Sequence, residues 1–367
     1  MEPIKPVEYK KSPIKRIKAI DTVRGMATME MIIYHFVTWY LPQIPKYSLI
    51  HFIVITIFGH TLRFCFVTIP AMGVTLQLYR SKIDGIDESL IRNSIFKRGL
   101  LLIIIQFVCN FFGWHPFFTW NSFILSFVGI SIIIAYYVSK LSHRTRIILI
   151  IIIALITPFL KFYLHPIQFQ MGFIQNVWTI DTFLYSMFLQ VDFPILPYII
   201  FSIFGTIFTE KMISAVETKS EEKFIKNSLI IAIISLVLYS IFTNFRSIIN
   251  YPDFFLGNPP RQDILFAIGS VILFIIVCFW IQDWKQEEVK ALEIFEIFGS
   301  ISLTTFITHY YIFQRIFDII YDPWLNLDPY SVYLLSIILW ISHVIYGIIV
   351  LRNKRKYSVE WFIRSCV

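Results

Sequence analysis

The chain has 367 residues, of which 57% are apolar, 18% aromatic and only 15% charged, and its mean hydropathy is +0.68. A water-soluble globule carries about 25% charged residues, so these figures exclude one and leave a polytopic membrane protein. The 32 Lys and Arg outnumber the 24 Asp and Glu, for a net charge of +8.

Residues 1–18 are charged and proline-bearing and read as a cytoplasmic tail. The apolar run after them is too long for a removable signal and lacks its small-residue cleavage site. Crossing about 30 Å of hydrocarbon takes about 20 mostly apolar residues. That rule predicts an all-α, polytopic transmembrane bundle of about ten spans, at 20–41, 53–79, 96–114, 120–139, 146–163, 194–213, 224–245, 263–283, 295–320 and 330–351. The bundle then occupies 19–351, and 352–367 form a C-terminal cytoplasmic tail. The second span is overlong and carries Gly59, His60, Arg63 and Pro70, so a separate outer segment is expected before the true crossing, with a kink at the proline. The joint at 164–192 mixes aromatics with Gln, Asn and Asp, as a re-entrant or interfacial cap would. With no soluble domain, internal repeat or low-complexity linker in the sequence, the bundle itself must carry the function.

Ten spans make alternate joints face opposite sides, and the basic residues sort with them. The N-terminal tail holds Lys5, Lys10, Lys11, Lys15, Arg16 and Lys18. The even-numbered joints add Arg80, Lys82, Arg92, Lys97 and Arg98, then Lys140, Arg144 and Arg146, and later Lys211, Lys219, Lys285, Lys290, Arg352, Arg355 and Arg364. Only Lys46, Lys161, Arg246, Arg261 and Arg315 lie in or near the other joints. By the positive-inside rule both termini are cytoplasmic in a multi-pass protein of the cell membrane. Topology thus accounts for a pI near 9.2, which gives no ground for a nucleic-acid partner; the expected surroundings are membrane lipids. Trp39, Trp114, Trp120 and Trp324 fall near the outer boundary and Trp280, Trp284 and Trp361 near the inner one, as an aromatic belt. Cys65, Cys109 and Cys278 lie inside apolar segments and Cys366 is penultimate, so no disulfide framework or prenylation box is formed.

Ionisable residues within a span cost roughly 2.5 to 3.5 kcal/mol each on insertion scales and mark function or pairing. The first span has Asp21, Arg24, Glu30 and His35. At 100° per residue, Asp21, Arg24 and His35 share one stripe, with His35 about 21 Å above Asp21. One face therefore offers an anion site at its foot and reactive chemistry near its top. The plain alternatives are an ion pair between Asp21 and Arg24 at the helix start and a satisfied packing histidine at His35. Glu30 lies about 140° from His35 on the helix, so it is expected to pair elsewhere in the bundle or to be neutral. His51, His60, His115 and His309 also crowd the outer half, each more readily explained alone as structural, and His343 lies in the inner half of the last span. None has the i,i+4 spacing or adjacent carboxylate of a metal site, so no metal is expected. Lys97 and Arg98 open the third span and are placed to meet a phosphate or to snorkel.

The stretch Arg16-Ile17-Lys18-Ala19-Ile20-Asp21-Thr22-Val23-Arg24-Gly25-Met26-Ala27, followed by Tyr34-His35-Phe36, resembles the opening of the transmembrane acyltransferases. That superfamily includes heparan-α-glucosaminide N-acetyltransferase and, more distantly, the integral-membrane O-acyltransferases of surface polysaccharides. The segment Arg63 to Gly73, the run Lys97-Arg98-Gly99-Leu100 and the proline-flanked Asp192-Phe193-Pro194-Ile195-Leu196-Pro197-Tyr198 are similar to the first of these branches. Gly299-Ser300-Ile301-Ser302-Leu303-Thr304 and Glu360-Trp361-Phe362-Ile363-Arg364 resemble closing motifs of related membrane families. The resemblance implies transfer of an acetyl group from cytoplasmic acetyl-CoA to a sugar hydroxyl or amine on the far face. It gives the catalytic histidine as His35 on the O-acyltransferase pattern, or as His51 on the pattern of the lysosomal enzyme, whose histidine lies in the joint after the first span. The sequence holds no counterpart of the lumenal domain that precedes the bundle in that enzyme, so no acceptor is carried over.

Chemistry and resemblance agree on what such a reaction needs. An imidazole suits the removal of a proton from the acceptor near neutral pH, and CoA phosphates need basic groups at the cytoplasmic side. The expected site therefore places His35, with His51 in reserve, as the base, and Asp21, Arg24, Lys97 and Arg98 at the acyl-CoA head group, around a tunnel through the bundle. A secondary transporter or lipid-linked glycan flippase would use the same polar stripe as a path, though the sequence lacks the inverted repeats common in transporters. A scaffold without chemistry is the third reading.

Overall fold

The computed structural model describes residues 16–40, 61–113, 124–163, 183–184, 186–190, 193–249, 261–313 and 328–367. Among them every regular element is helical: α1 (Lys18–Tyr40), α2 (Arg63–Ile83), α3 (Glu88–Gly113), α4 (Ile124–Val138), α5 (His143–Tyr163), α6 (Ile195–Glu217), α7 (Glu221–Ile249), α8 (Arg261–Cys278), α9 (Lys290–Ser300), α10 (Ser302–Ile307), α11 (Pro329–Arg352) and α12 (Val359–Cys366). α8 continues as the π-helical turn Phe279–Trp284 and α10 as the π turn Thr308–Phe313, and a separate π turn lies at Ser186–Gln190. Each predicted span contains a helix. Six of these helices are long and apolar enough to cross a membrane, and the bent pair α9–α10 would make a seventh. The chain is therefore an integral membrane protein. α1 and α2 lie outside that set, although they are 23 and 21 residues long, because polar side chains dilute their apolar character. α4 falls short by length, its 15 residues rising only about 22 Å.

Burial separates an inner from an outer set. Only 17% of the apolar stretch of α5 and 22% of that of α7 is buried, against 67% for α6. Ile148, Ile152, Leu155, Ile231, Ile234 and Ile338 are exposed, as lipid-facing residues are when the surrounding solvent is hydrocarbon. α1 is central, packed against α2, α8, α9 and α11, while α2 packs against α4 and α6. Where α1 crosses α9 the backbones nearly touch. A Cβ on Gly25 would lie 1.8 Å from the Phe295 carbonyl oxygen, and one on Gly299 would lie 2.0 Å from that of Asp21, so only glycine fits at either position.

Polar contacts fix the lower end of α1. Its backbone N–H groups at Lys18 and Ala19 donate to the Asp283 carboxylate at 2.8 and 2.9 Å, an anion supplied in trans to a helix N-terminus. Thr22 Oγ1 donates to Gln282 Oε1 at 2.8 Å, and Gln282 Nε2 to Glu296 at 2.9 Å, tying α1, the π turn of α8 and α9 together.

Two expectations need correction. The span expected at 96–114 begins at Glu88, because Asp87 accepts from the Ser89 N–H at 2.9 Å and starts the helix early. The single span expected at 295–320 is broken: α9 and α10 meet at 71°, with Ile301 at φ −122° and ψ 22°. The break is stable because a carboxylate takes up the N–H groups it frees. Leu303 N and Thr304 N donate to Glu360 Oε1 at 2.7 and 3.1 Å, and Thr304 Oγ1 to Glu360 Oε2 at 2.6 Å. Thr304 Oγ1 in turn accepts from Val359 N at 2.8 Å. α2, by contrast, runs as one helix across Pro70. The outer segment expected at the start of the 53–79 span lies almost wholly outside the described residues, as does the cap at 164–192.

Candidate active site

Three cavities follow one another along α1. The basal one, about 550 Å³, is lined by Arg16, Asp21, Arg24, Arg80, Arg355 and Arg364 among others. The middle one, about 260 Å³, shares Arg24, Gly73 and Ser302 with it and adds Arg98 within walls of Ile69, Leu102 and Val128. The outer one, about 220 Å³, shares Phe66, Ile124 and Phe306 with the middle cavity and holds Glu30, Tyr34, His35 and Arg63. Because Arg16 and Arg364 line the same basal cavity, the two ends of the described chain lie on the same side of the bundle.

The basal cavity is dominated by guanidinium groups. Asp21 sits between two of them, accepting from Arg16 Nε at 2.6 Å and from Arg24. Arg24 Nε also donates to the Gly299 carbonyl at 2.7 Å, which fixes the guanidinium across the α1–α9 crossing. The other carboxylate there, Glu360, is engaged with the start of α10. Arg80, Arg355 and Arg364 thus add positive charge that those two acids do not balance, and Arg80 Nε is buried with no hydrogen-bond partner among the described residues. A cluster of this kind suits a ligand with several phosphates.

At the outer end, His35 meets His309 from the π turn after α10. His35 Nδ1 and His309 Nε2 are 3.0 Å apart, and the rings stack at 19° with centroids 5.2 Å apart. His309 is fully buried, and its Nδ1 lies 2.9 Å from the Thr305 carbonyl. A carbonyl only accepts, so His309 donates from Nδ1, and the neutral ring keeps its lone pair on Nε2. That lone pair accepts the Nδ1–H of His35, which leaves the Nε2 lone pair of neutral His35 as its basic atom. The arrangement orients one imidazole with another, the geometric requirement of a general base with a positioning partner.

The turn that carries His309 is held by a buried amide network. Gln106 Nε2 donates to Asn110 Oδ1 at 2.8 Å and to Tyr311 Oη at 2.6 Å, Tyr311 Oη donates to Asn110 Oδ1 at 2.9 Å, and Gln106 Oε1 accepts from Leu125 N at 3.1 Å. This joins α3, α4 and the π turn. His343 has a different role: its ring bridges Thr308 Oγ1 and the Leu339 carbonyl, each at 2.8 Å, as a packing histidine.

Of the residues singled out from sequence, Asp21, Arg24, Arg98 and His35 line this series of cavities. Lys97 is exposed on α3 and lines none of the three, since at 100° per residue it points away from its neighbour Arg98. His51, His60 and His115 lie outside the described residues. Sequence reasoning missed the pairing of His309 with His35, the place of Glu30 beside Arg63, and the contributions of Arg80, Arg355 and Arg364. The two closing motifs, Gly299 to Thr304 and Glu360 to Arg364, were visible, but not their mutual contact.

The family model described as heparan-alpha-glucosaminide N-acetyltransferase, catalytic, matches residues 16–244. No curated protein matches the chain.

Proposed function

The chain belongs to the heparan-alpha-glucosaminide N-acetyltransferase catalytic family, and from that premise we propose that it transfers an acyl group, most simply acetyl, from cytoplasmic acyl-CoA to a glycan hydroxyl or amine across the membrane. One observation carries the reading: Arg24 lies where the basal and middle cavities meet, His35 lines the outer cavity, and neighbouring cavities share lining residues. Eleven residues of helix separate Arg24 from His35 by about 16 Å, a gap matched to the extended thioester arm of CoA. On this reading the basal end faces the cytoplasm, in keeping with the excess of basic residues there.

The head-group phosphates occupy the basal arginines, the arm lies in the apolar middle cavity, and the thioester reaches His35. The acceptor oxygen or nitrogen attacks the thioester carbonyl as His35 Nε2 takes its proton. The new C–O or C–N bond forms, the C–S bond breaks, and the proton passes to the thiolate, releasing CoA as the thiol. His309 holds the His35 ring in the tautomer this needs. Replacement of His35 by alanine is expected to lower acyl transfer in proteoliposomes by about 10²- to 10⁴-fold at matched protein level; an unchanged rate removes His35 from the role and leaves His51 as the histidine to replace.

The bend between α9 and α10 favours a second reading, since transporters build substrate sites from broken helices. Acetyl-CoA separates the two. A transferase is stabilised against heat by the donor alone, whereas a flippase without covalent chemistry gains nothing from it.

A further inference from the structure

Two helices that pack together, α1 and α2, each line the basal cavity at one end and the outer cavity at the other. On α1 these ends carry Arg24 and His35, and on α2 they carry Arg80 and Arg63. Arg63 stands about 25 Å of helix from Arg80, which brings it into the same outer cavity as His35. A guanidinium stays charged in any protein setting. Yet Nε of Arg63 is buried with no hydrogen-bond partner among the described residues, and none of their carboxylates forms an ion pair with it, Glu30 of the same cavity included. The charge rests over the Phe64 ring, with Cζ 4.8 Å from the centroid, a contact that supplies no oxygen acceptor. A buried donor without an acceptor is rare in native proteins and calls for a partner. The transfer steps described so far give this group no task.

Resting on the transferase reading, we infer that Arg63 is a further catalytic residue, whose guanidinium receives the oxyanion that forms on the thioester carbonyl oxygen. Attack by the acceptor forms the new C–N or C–O bond, moves the carbonyl π electrons onto oxygen and sends the acceptor proton to His35 Nε2. The tetrahedral alkoxide is stabilised by a donor already in place and not spent on another partner. Its collapse restores the carbonyl, breaks the C–S bond and passes the proton from His35 to the departing thiolate. Negative charge develops on that oxygen whichever acceptor attacks, so Arg63 serves an amino sugar and a hydroxyl alike. Phe66, Phe193 and Phe306 give the cavity apolar walls, where a charged donor acts more strongly than it does in water.

The test titrates the purified full chain with two thioethers of CoA: S-ethyl-CoA, which lacks the carbonyl, and S-carboxymethyl-CoA, which carries an anion at the acyl position. With Arg63 free to receive it, the anion is expected to bind at least about tenfold more tightly than the ethyl group, the gain of one hydrogen bond to a charged group. An apolar pocket without a free cation would bind it more weakly. Arg63→Met is expected to abolish the preference while S-ethyl-CoA binds within about twofold of its former affinity. In proteoliposomes with radiolabelled acetyl-CoA and an alkyl glucosaminide, the same variant is expected to lose about 10²- to 10³-fold in kcat with little change in the KM for acetyl-CoA, and Arg63→Lys, which keeps the charge, to recover part of it. No gain from the anion on the unmodified chain, a gain that persists in Arg63→Met, or an unchanged kcat in that variant overturns the inference. The unmodified chain decides the matter even if the variant does not fold. If S-ethyl-CoA binds and the anion adds nothing, the role of Arg63 alone fails. If neither thioether nor acetyl-CoA binds, the transferase reading fails with it.

Discussion

On the proposed transfer, the two imidazoles in contact have different tasks. His35 lines the cavity, and His309, fully buried, fixes its tautomer through the 3.0 Å contact because its own Nδ1 is committed to the Thr305 carbonyl. Removal of that partner leaves the His35 ring free to turn. His309→Leu is therefore expected to lower kcat by about 10²-fold with little change in the KM for acetyl-CoA, whereas His309→Gln, which keeps an acceptor oxygen, should recover part of the loss. Steady-state kinetics of the two variants checks this, and equal rates for both would assign His309 to packing alone. At this scale the stripe of Asp21, Arg24 and His35 could be read directly, since all three lie on one helix whose 100° period places them. The contact of His35 with His309 could not, because 274 residues separate the two rings and no local periodicity links them.

At the scale of elements, the decisive feature is the break between α9 and α10. Hydropathy treats 295–320 as one run, since it measures apolar content and not backbone direction. The break needs the glycine contact with α1 on one side and the Glu360 carboxylate on the other. α12, capped by Ser358, whose Oγ accepts from Trp361 N at 3.1 Å, brings that carboxylate into place along with Arg364 in the basal cavity. Glu360→Ala leaves two backbone N–H groups of α10 without their acceptor. It is expected to cost about 1 to 3 kcal/mol, seen as a lower melting temperature in detergent, and to weaken acetyl-CoA binding because Ser302 lines the basal and middle cavities. An unaltered melting temperature would show that the bend is held by other contacts.

For the molecule as a whole, the distribution of basic residues predicts which side faces the cytoplasm, and the proposed transfer requires the basal arginines on that side. Cys366 is exposed at the end of α12, while Cys65 and Cys278 are buried. An impermeant maleimide is expected to label the chain through Cys366 in inverted vesicles and not in intact cells, with Cys366→Ser as the control; labelling in intact cells would reverse the assigned orientation. Composition by itself determined that the chain is an all-helical membrane bundle, because the hydrocarbon interior forces backbone groups to pair within each segment and so makes apolar length diagnostic. It also exposed the polar stripe of the first span, which stands out against apolar neighbours. Only the tertiary structure decided which distant groups share a cavity. The meeting of His35 with His309, of Glu30 with Arg63, and of Glu360 with the start of α10 depends on how helices cross and bend, and such crossings are set by side-chain packing between segments far apart in the chain.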